Sequence, residues 1–156
     1  MNKDYIYKRR LLKLADYLSK LPKEKFDYSH WAGSNWGGKA NLSCGTSACA
    51  LGHSTTIPSF RKLGLRLFRA DEYHKPFVSM IGFKPKNSYD FGDYSYQSAQ
   101  NAGAKVFGLN DQEFRYVFIP NARYDMSGNW PDAPSSEATA KQVAKHIRAF
   151  VKAKYK

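Results

Sequence analysis

Apolar side chains recur at helical spacing near both ends of the chain. Between residues 4 and 21, leucines return every three or four positions until Pro22 interrupts them. Near the other end, the same spacing is kept by Val143, Ile147, Phe150 and Val151. This period places the apolar side chains on one face of an α-helix. The pattern therefore predicts an N-terminal helix over residues 4–21 and a C-terminal helix that ends at about Lys152.

Capping and stop residues predict three further helices between these two. The expected boundaries are Thr46 to Ile57, Ser95 or Ser98 to Phe107, and Asn110 to just before Pro120. The residues that follow the three ends are Pro58, Gly108 and Pro120. Proline cannot continue a helix, and glycine accepts the left-handed conformation that commonly ends one. The C-terminal helix has its own start signal, since Thr139 and Gln142 have the spacing of a capping box.

Residues 65–83 have a different, extended character. Apolar residues on each side of a polar segment at 70–76 favour a small β-hairpin. Together the elements predict an α+β domain that is mostly helical, with about five helices and one hairpin packed in layers. At 156 residues, the chain is expected to form a single domain over residues 1–156.

Positive charge is concentrated at the two ends of the chain. The protein has 25 Lys and Arg against 13 Asp and Glu, a net charge of +12. Residues 1–25 hold eight basic and three acidic residues, and residues 137–156 hold six and one, so each end carries +5. A strong positive balance favours anionic partners such as nucleotides or nucleic acid. If the terminal helices pack side by side, they form one basic face.

The C-terminal helix carries its cations in one stripe. Lys141, Lys145, Arg148 and Lys152 follow each other at spacings of four, three and four residues. The N-terminal helix adds Arg9, Arg10 and Lys13. These seven residues are candidates for contacts to a polyanion, and nucleic-acid binding through them is one hypothesis for the function. The alternative interpretation is a solvated helix face without a ligand.

A second candidate site lies in a glycine- and aromatic-rich loop. Trp31 and Trp36 offer indole rings for stacking, and Lys39 follows two glycines. The loop matches the P-loop pattern, but Ala40 stands where the magnesium-binding Ser or Thr belongs. We therefore expect a non-enzymatic capture of a phosphate-bearing ligand, a nucleotide or cyclic nucleotide. The predicted ligand-binding residues are Trp31, Trp36, Lys39, Thr46, Ser47 and His53.

Both cysteines lie just after this loop. Cys44, Cys49 and His53, with His30 as a fourth ligand, would suit zinc by residue type, and a thiol beside a histidine would suit a nucleophile. The Cys-x₄-Cys-x₃-His spacing is not that of a standard finger. A buried, unreactive thiol is the simpler interpretation, above all for Cys49. The main hypothesis therefore includes no catalytic residue, no metal and no cofactor, and a small Cys/His enzyme or zinc protein is the third hypothesis.

The segment at 104–114 superficially resembles a helix-turn-helix. Its second helix is expected to expose Gln112, Glu113, Arg115 and Tyr116, of which only Arg115 is basic. A recognition helix usually presents more hydrogen-bond donors to the bases. A structural helical corner is therefore the favoured interpretation, and DNA recognition by a helix-turn-helix is the alternative.

The remaining features concern location and assembly. No stretch approaches about 18 uninterrupted apolar residues, and no apolar run follows the N-terminal Met, so we expect no membrane partner. Two cysteines without a leader favour a cytoplasmic protein with reduced thiols. A homo-oligomer is left open by the sequence.

Five segments together carry a resemblance to known proteins. They are residues 9–18, 26–31, 44–53, 107–113 and 139–148, with the sequence CGTSACALGH at the centre. In this order they resemble a group of small bacteriophage and bacterial proteins of unassigned activity. Those proteins have a Cys-Gly-Thr-x-x-Cys-Ala-x-Gly core between an N-terminal and a C-terminal helix. The resemblance implies a phage-type protein that acts in the host cytoplasm, with counter-defence as the expected role.

Overall fold

The computed structural model describes residues 2–28, 48–70, 75–86, 90–123 and 130–156, with the backbone alone at 69, 70 and 75. In this part of the chain there are six α-helices and one β-hairpin, so the mostly helical α+β class is confirmed. The helices are α1 (Lys3–Ser19), α2 (Ala50–Ser54), α3 (Pro58–Arg61), α4 (Phe91–Phe107), α5 (Asp111–Phe118) and α6 (Ala140–Lys154). The strands are β1 (Leu65–Ala70) and β2 (Lys75–Met80), and a 3₁₀ turn covers Lys23–Lys25.

The two terminal helices pack against each other along their length. Their apolar stripes are buried, and the residues are Leu11, Leu14, Ala15 and Leu18 on α1, and Val143, Ala144, Ile147, Phe150 and Val151 on α6. Lys8 lies next to Tyr155, while Asp16, two turns further along α1, pairs with Arg148. The helices therefore run antiparallel, and the side-by-side arrangement on which one basic face depends is present.

The hairpin and α4 form the other side of the core. β1 and β2 pair antiparallel from Leu65 opposite Met80 to Ala70 opposite Lys75. The ring of Phe77 on β2 meets Phe91 and Tyr94 of α4 edge to face, at centroid distances of 6.3 and 5.2 Å. The predicted hairpin is confirmed, and it covers the N-terminal half of α4.

The corner between α4 and α5 depends on two glycines. Gly108 ends α4 in the left-handed conformation, as predicted, with φ at 65°. A side chain there would also collide with the Tyr7 ring of α1. At Gly103 a Cβ atom would lie 2.5 Å from the Phe114 ring of α5. Small residues at these positions let α1, α4 and α5 meet closely, as dense core packing requires.

Both predicted boundaries of the second helix are wrong. α2 begins at Ala50 with Cys49 as its N-cap and covers only five residues, instead of running from Thr46 to Ile57. Pro58 does not stop a helix but opens α3 at its first position, where the missing N–H costs nothing.

α4 starts earlier than predicted. Asp90 is its N-cap, and its carboxylate accepts the Asp93 N–H at 2.8 Å. Ser95 and Ser98, the predicted caps, lie inside the helix and are buried. Aspartate caps a helix as well as serine does, and the Ser95 hydroxyl instead bonds to the Gly92 carbonyl within the helix.

Candidate functional site

Exposed cations follow the solvent side of α1 and α6. Arg9 and Lys13 are exposed one turn apart on α1. The predicted stripe on α6 is exposed throughout, at Lys141, Lys145, Arg148 and Lys152. We call these six residues the basic face. It joins the two chain ends that carry ten of the twelve net positive charges.

Acidic residues neutralise little of the basic face. α6 contains no acidic residue, and α1 contains two, Asp4 and Asp16. Asp4 lies in the first turn of α1, where a negative charge stabilises the helix terminus. Asp16 pairs with Arg148 at 2.8 Å, and both side chains stay largely exposed. An exposed pair of this kind contributes little to stability, so Arg148 can leave Asp16 and pair with the anion of a ligand.

Two surface grooves lie on opposite sides of α1. The groove between α1 and α6 has a volume of about 720 Å³ and is lined by Lys8, Leu12, Arg148, Val151, Lys152, Tyr155 and Lys156 among others. The groove between α1 and α3 has a volume of about 410 Å³ and is lined by Tyr5, Ile6, Arg9, Arg10, Lys13, Ser59, Phe60 and Leu63. Lys8 and Lys156 were not among the predicted site residues. They line this groove because α1 and the end of the chain after α6 are neighbours, which the sequence does not show.

Arg10 differs from the other predicted cations. Its Nη1 donates a hydrogen bond to the Val106 carbonyl at 2.9 Å, and its guanidinium lies 5.8 Å from the centroid of the Tyr7 ring. The side chain therefore ties α1 to the last turn of α4. The structure assigns Arg10 a structural contact and leaves Arg9 and Lys13 as the exposed cations of this side of α1.

Lys154 is also held inside the fold. Its Nζ lies 2.7 Å from the Glu113 carboxylate and 3.3 Å from the Gly108 carbonyl. The exposed fractions of the two side chains are 22% and 9%. This charge joins the end of α6 to the α4–α5 corner and is not part of the basic face.

His53, one of the predicted ligand-binding residues, lies in the core. Its side chain sits beside the rings of Tyr17 and Phe26, and the residue is 3% exposed. Nε2 donates to the Lys25 carbonyl at 2.6 Å, and Nδ1 has no hydrogen-bond partner among the described residues. Burial lowers the pKa of His53, so the ring is neutral at pH 7.

Cys49 is buried as predicted. The residue is 1% exposed, and its Sγ accepts the Gly52 N–H at 3.4 Å, which caps α2. Burial raises the pKa of the thiol to about 12, so it stays protonated and is a poor nucleophile at neutral pH. Cys44 and His30, the other predicted zinc ligands, lie outside the described residues. Within the described ranges, no group of three or more His, Cys, Asp or Glu residues is placed to hold a metal ion.

The loop with the predicted ligand-binding residues falls outside the described part of the chain. This applies to Trp31, Trp36, Lys39, Thr46 and Ser47. Backbone hydrogen bonds join the residues that flank the segment 29–47. The Asp27 N–H donates to the Ala48 carbonyl at 3.0 Å, and the Ala48 N–H donates to the Lys25 carbonyl at 3.2 Å. The described residues that flank this segment thus lie together beside α2.

Two of the four α5 residues that were expected to be exposed are buried. Glu113 and Tyr116 of α5 are buried. Glu113 completes a capping box with Asn110 and binds Lys154, while the Tyr116 hydroxyl donates to the Pro131 carbonyl at 2.7 Å. Only Gln112 and Arg115 stay exposed, and Arg115 pairs with Asp111 at 3.4 Å. The described α4–α5 pair is therefore a structural corner.

His146 is a buried histidine that the sequence analysis did not select. Its Nε2 lies 2.7 Å from the Tyr116 carbonyl, and its ring packs 4.5 Å from the Tyr116 ring. Burial lowers its pKa. Its place on the apolar side of α6 was the signal that could have identified it as a core residue.

Within the ranges that the structure describes, every helix is too short or too polar to cross a bilayer. Comparison with protein-family models, with curated proteins and with solved structures found no match for this chain.

Proposed function

We propose that this protein is a polyanion-binding protein whose ligand is nucleic acid, held on the basic face of α1 and α6. The observation that carries the proposal is the antiparallel packing of the two terminal helices. This packing brings the two most positive segments of the chain onto one surface, where among the described residues one carboxylate, that of Asp16, pairs with Arg148.

The dimensions of the basic face suit a phosphate backbone. From Lys141 to Lys152 the stripe covers 12 residues of α6, and the 11 helical steps between them span about 16 Å. Over that length one strand of a duplex carries about five phosphates. Arg9 and Lys13 widen the face across α1. A surface of this kind binds by releasing counterions, so its affinity depends strongly on salt.

Nucleotide capture by the Trp31–Lys39 loop stays a prediction of the sequence. What supports it is the backbone hydrogen bond between Asp27 and Ala48, which flank the segment. The phage-type, counter-defence role implied by the resemblance likewise stays a prediction. Stabilisation of the protein by a mono-, di- or cyclic nucleotide in a thermal-shift panel, lost in Trp36→Ala, would support the loop as the site.

The experiment for the basic face is a salt series of binding measurements by fluorescence anisotropy. Wild-type protein and a Lys145→Glu/Lys152→Glu double variant are titrated into labelled oligonucleotides at several salt concentrations. The wild type should give a linear plot of log affinity against log salt. The double variant should have a slope smaller by about 1.4 to 1.8, since each of the two lost phosphate contacts removes about 0.7 to 0.9.

Lys84→Glu/Lys86→Glu is the matched control variant. Lys84 and Lys86 are exposed and lie six and four residues before the N-cap of α4, whereas the opposite end of α4 contacts α1. The same change of charge there should leave most of the slope in place. No wild-type binding to any oligonucleotide or to heparin at low salt, or equal slopes in both variants, would overturn the proposal.

A further inference from the structure

The groove between α1 and α3 combines exposed apolar surface with positive charge. Tyr5 is 50% exposed and Leu63 is 40% exposed, which makes them two of the three large exposed hydrophobic residues in the described part of the chain. The third, Ile81, is 61% exposed and lies beside Gly64, the residue after Leu63, because its N–H donates to the Gly64 carbonyl at 2.9 Å. Large apolar side chains grouped at one edge of a surface indicate a binding site.

The cations of the α1–α3 groove lie beside the exposed ring of Tyr5. The Arg9 guanidinium lies 5.7 Å from the centroid of Tyr5, and Lys13 follows Arg9 by one helical turn. The Ser59 hydroxyl beneath this groove is buried and is therefore not part of the open binding surface. An exposed aromatic ring beside a planar cation suits a flat ligand that is attached to negative charge.

The groove is continuous with the basic face through α1. Lys8 and Leu12 line the groove on the α6 side, whereas Arg9 and Lys13 line the groove on the α3 side. Arg9 and Lys13 are exposed and belong to both the basic face and the α1–α3 groove. A chain of phosphates on the basic face would therefore reach the apolar groove without a gap in the positive surface.

We propose that the nucleic acid bound by this protein is single-stranded, with one unstacked base in the α1–α3 groove against Tyr5 and its phosphates on Arg9 and Lys13. The inference rests on the proposed polyanion function and names its substrate class. A duplex keeps its base faces covered, whereas a single strand presents them to aromatic side chains. The groove volume of about 410 Å³ exceeds that of a single base. The positive charge beside the ring favours a base linked to phosphate over a neutral apolar ligand.

The test compares ligands that have the same backbone charge and differ in their bases. The probes are a labelled 12-nucleotide oligothymidylate, its RNA counterpart, an abasic oligonucleotide of equal length, a duplex, and a polyglutamate of equal charge. Anisotropy is measured at one low salt concentration for wild type, Tyr5→Ala and Tyr5→Phe. Tyr5 is exposed on a helix, where alanine is well tolerated, so the variant should fold, and circular dichroism checks this.

The wild type should bind the base-bearing single strands about tenfold more tightly than the abasic strand, because stacking of one base on an aromatic side chain has about that effect. Tyr5→Ala should bind both equally, and Tyr5→Phe should keep the preference. Tighter binding of the duplex, equal wild-type affinity for the abasic strand, or an unchanged preference in Tyr5→Ala would overturn the inference and leave the polyanion function standing.

Two further outcomes separate the inference from the proposed function. Polyglutamate bound as tightly as oligothymidylate, with the Tyr5→Ala change weakening both, would overturn the inference and assign the groove to an acidic protein segment. Failure to bind any of the probes would overturn the polyanion function itself.

Discussion

At the scale of single residues, burial decides which predicted site residues keep a chemical role. His53 and Cys49 have the residue types and the four-residue spacing of a metal or nucleophile pair. Both are almost fully buried, and burial moves each pKa toward the neutral form. A sequence shows the residue types but not the surrounding dielectric, which depends on the other elements packed around them. Arg9 and Lys13 are exposed cations, as predicted. The Arg10 side chain is instead hydrogen-bonded to the Val106 carbonyl.

The two buried histidines predict a loss of stability in mild acid. Burial holds the folded pKa of His53 and of His146 below the value of 6.5 that an exposed histidine has. As pH falls below 6.5, the unfolded chain binds protons that the folded chain excludes, so the free energy of unfolding decreases with falling pH. Above that pH both states are neutral, and the effect is absent.

Urea unfolding at pH 7.5, 6.5 and 5.5 measures this effect. The free energy of unfolding should be lowest at pH 5.5, and a His146→Asn variant, which keeps a polar side chain near the Tyr116 carbonyl, should show a smaller decrease with pH than the wild type. Equal stability of the wild type over this range would show that folding does not lower the pKa of the two histidines.

At the scale of elements, hydrophobic periodicity predicted which segments are helical. It predicted their first and last residues less accurately. The leucine repeat of α1, the helix start at Asn110, the capping box of α6 and Gly108 at the end of α4 are local signals in the sequence, and the structure confirms them. α2 is shorter than predicted because Cys49, and not Thr46, caps it. The buried faces of Glu113 and Tyr116 were missed because their partners, Lys154 and Pro131, come from other parts of the chain.

The contact between Lys154 and Glu113 predicts a stability effect at the end of α6. Lys154→Met would leave the Glu113 carboxylate largely buried without its cation, and we expect a loss of about 2 kcal/mol in the free energy of unfolding. Glu113→Gln is the partner variant because it keeps a side-chain oxygen for the Asn110 N–H in the capping box.

A double-mutant cycle in urea isolates the coupling of the two residues. The double variant should lose clearly less stability than the sum of the two single variants, because neither group is then left buried and unpaired. Additive losses would show that the two side chains contribute independently and that this contact does not fix α6 to the corner.

At the scale of the whole molecule, the charges of the two chain ends form one surface because α1 and α6 pack side by side. The sequence showed that ten of the twelve net charges lie in the terminal segments, but it could not show that α1 and α6 are neighbours. That pairing depends on complementary apolar stripes 130 residues apart, and no local signal specifies it. The surface that results is continuous, with the basic face on α1 and α6 and the apolar groove beside α3.

The most direct measurement of the central claim is lysine protection by a bound polyanion. The protein is acetylated at low reagent concentration with and without oligothymidylate, and the modified lysines are quantified by peptide mass spectrometry. Lys13, Lys145 and Lys152 should react several-fold more slowly when the oligonucleotide is bound, and Lys86 should be unchanged. Protection confined to Lys39, or reactivity unaltered on α1 and α6 while the oligonucleotide is bound, would contradict the account and move the site away from the basic face.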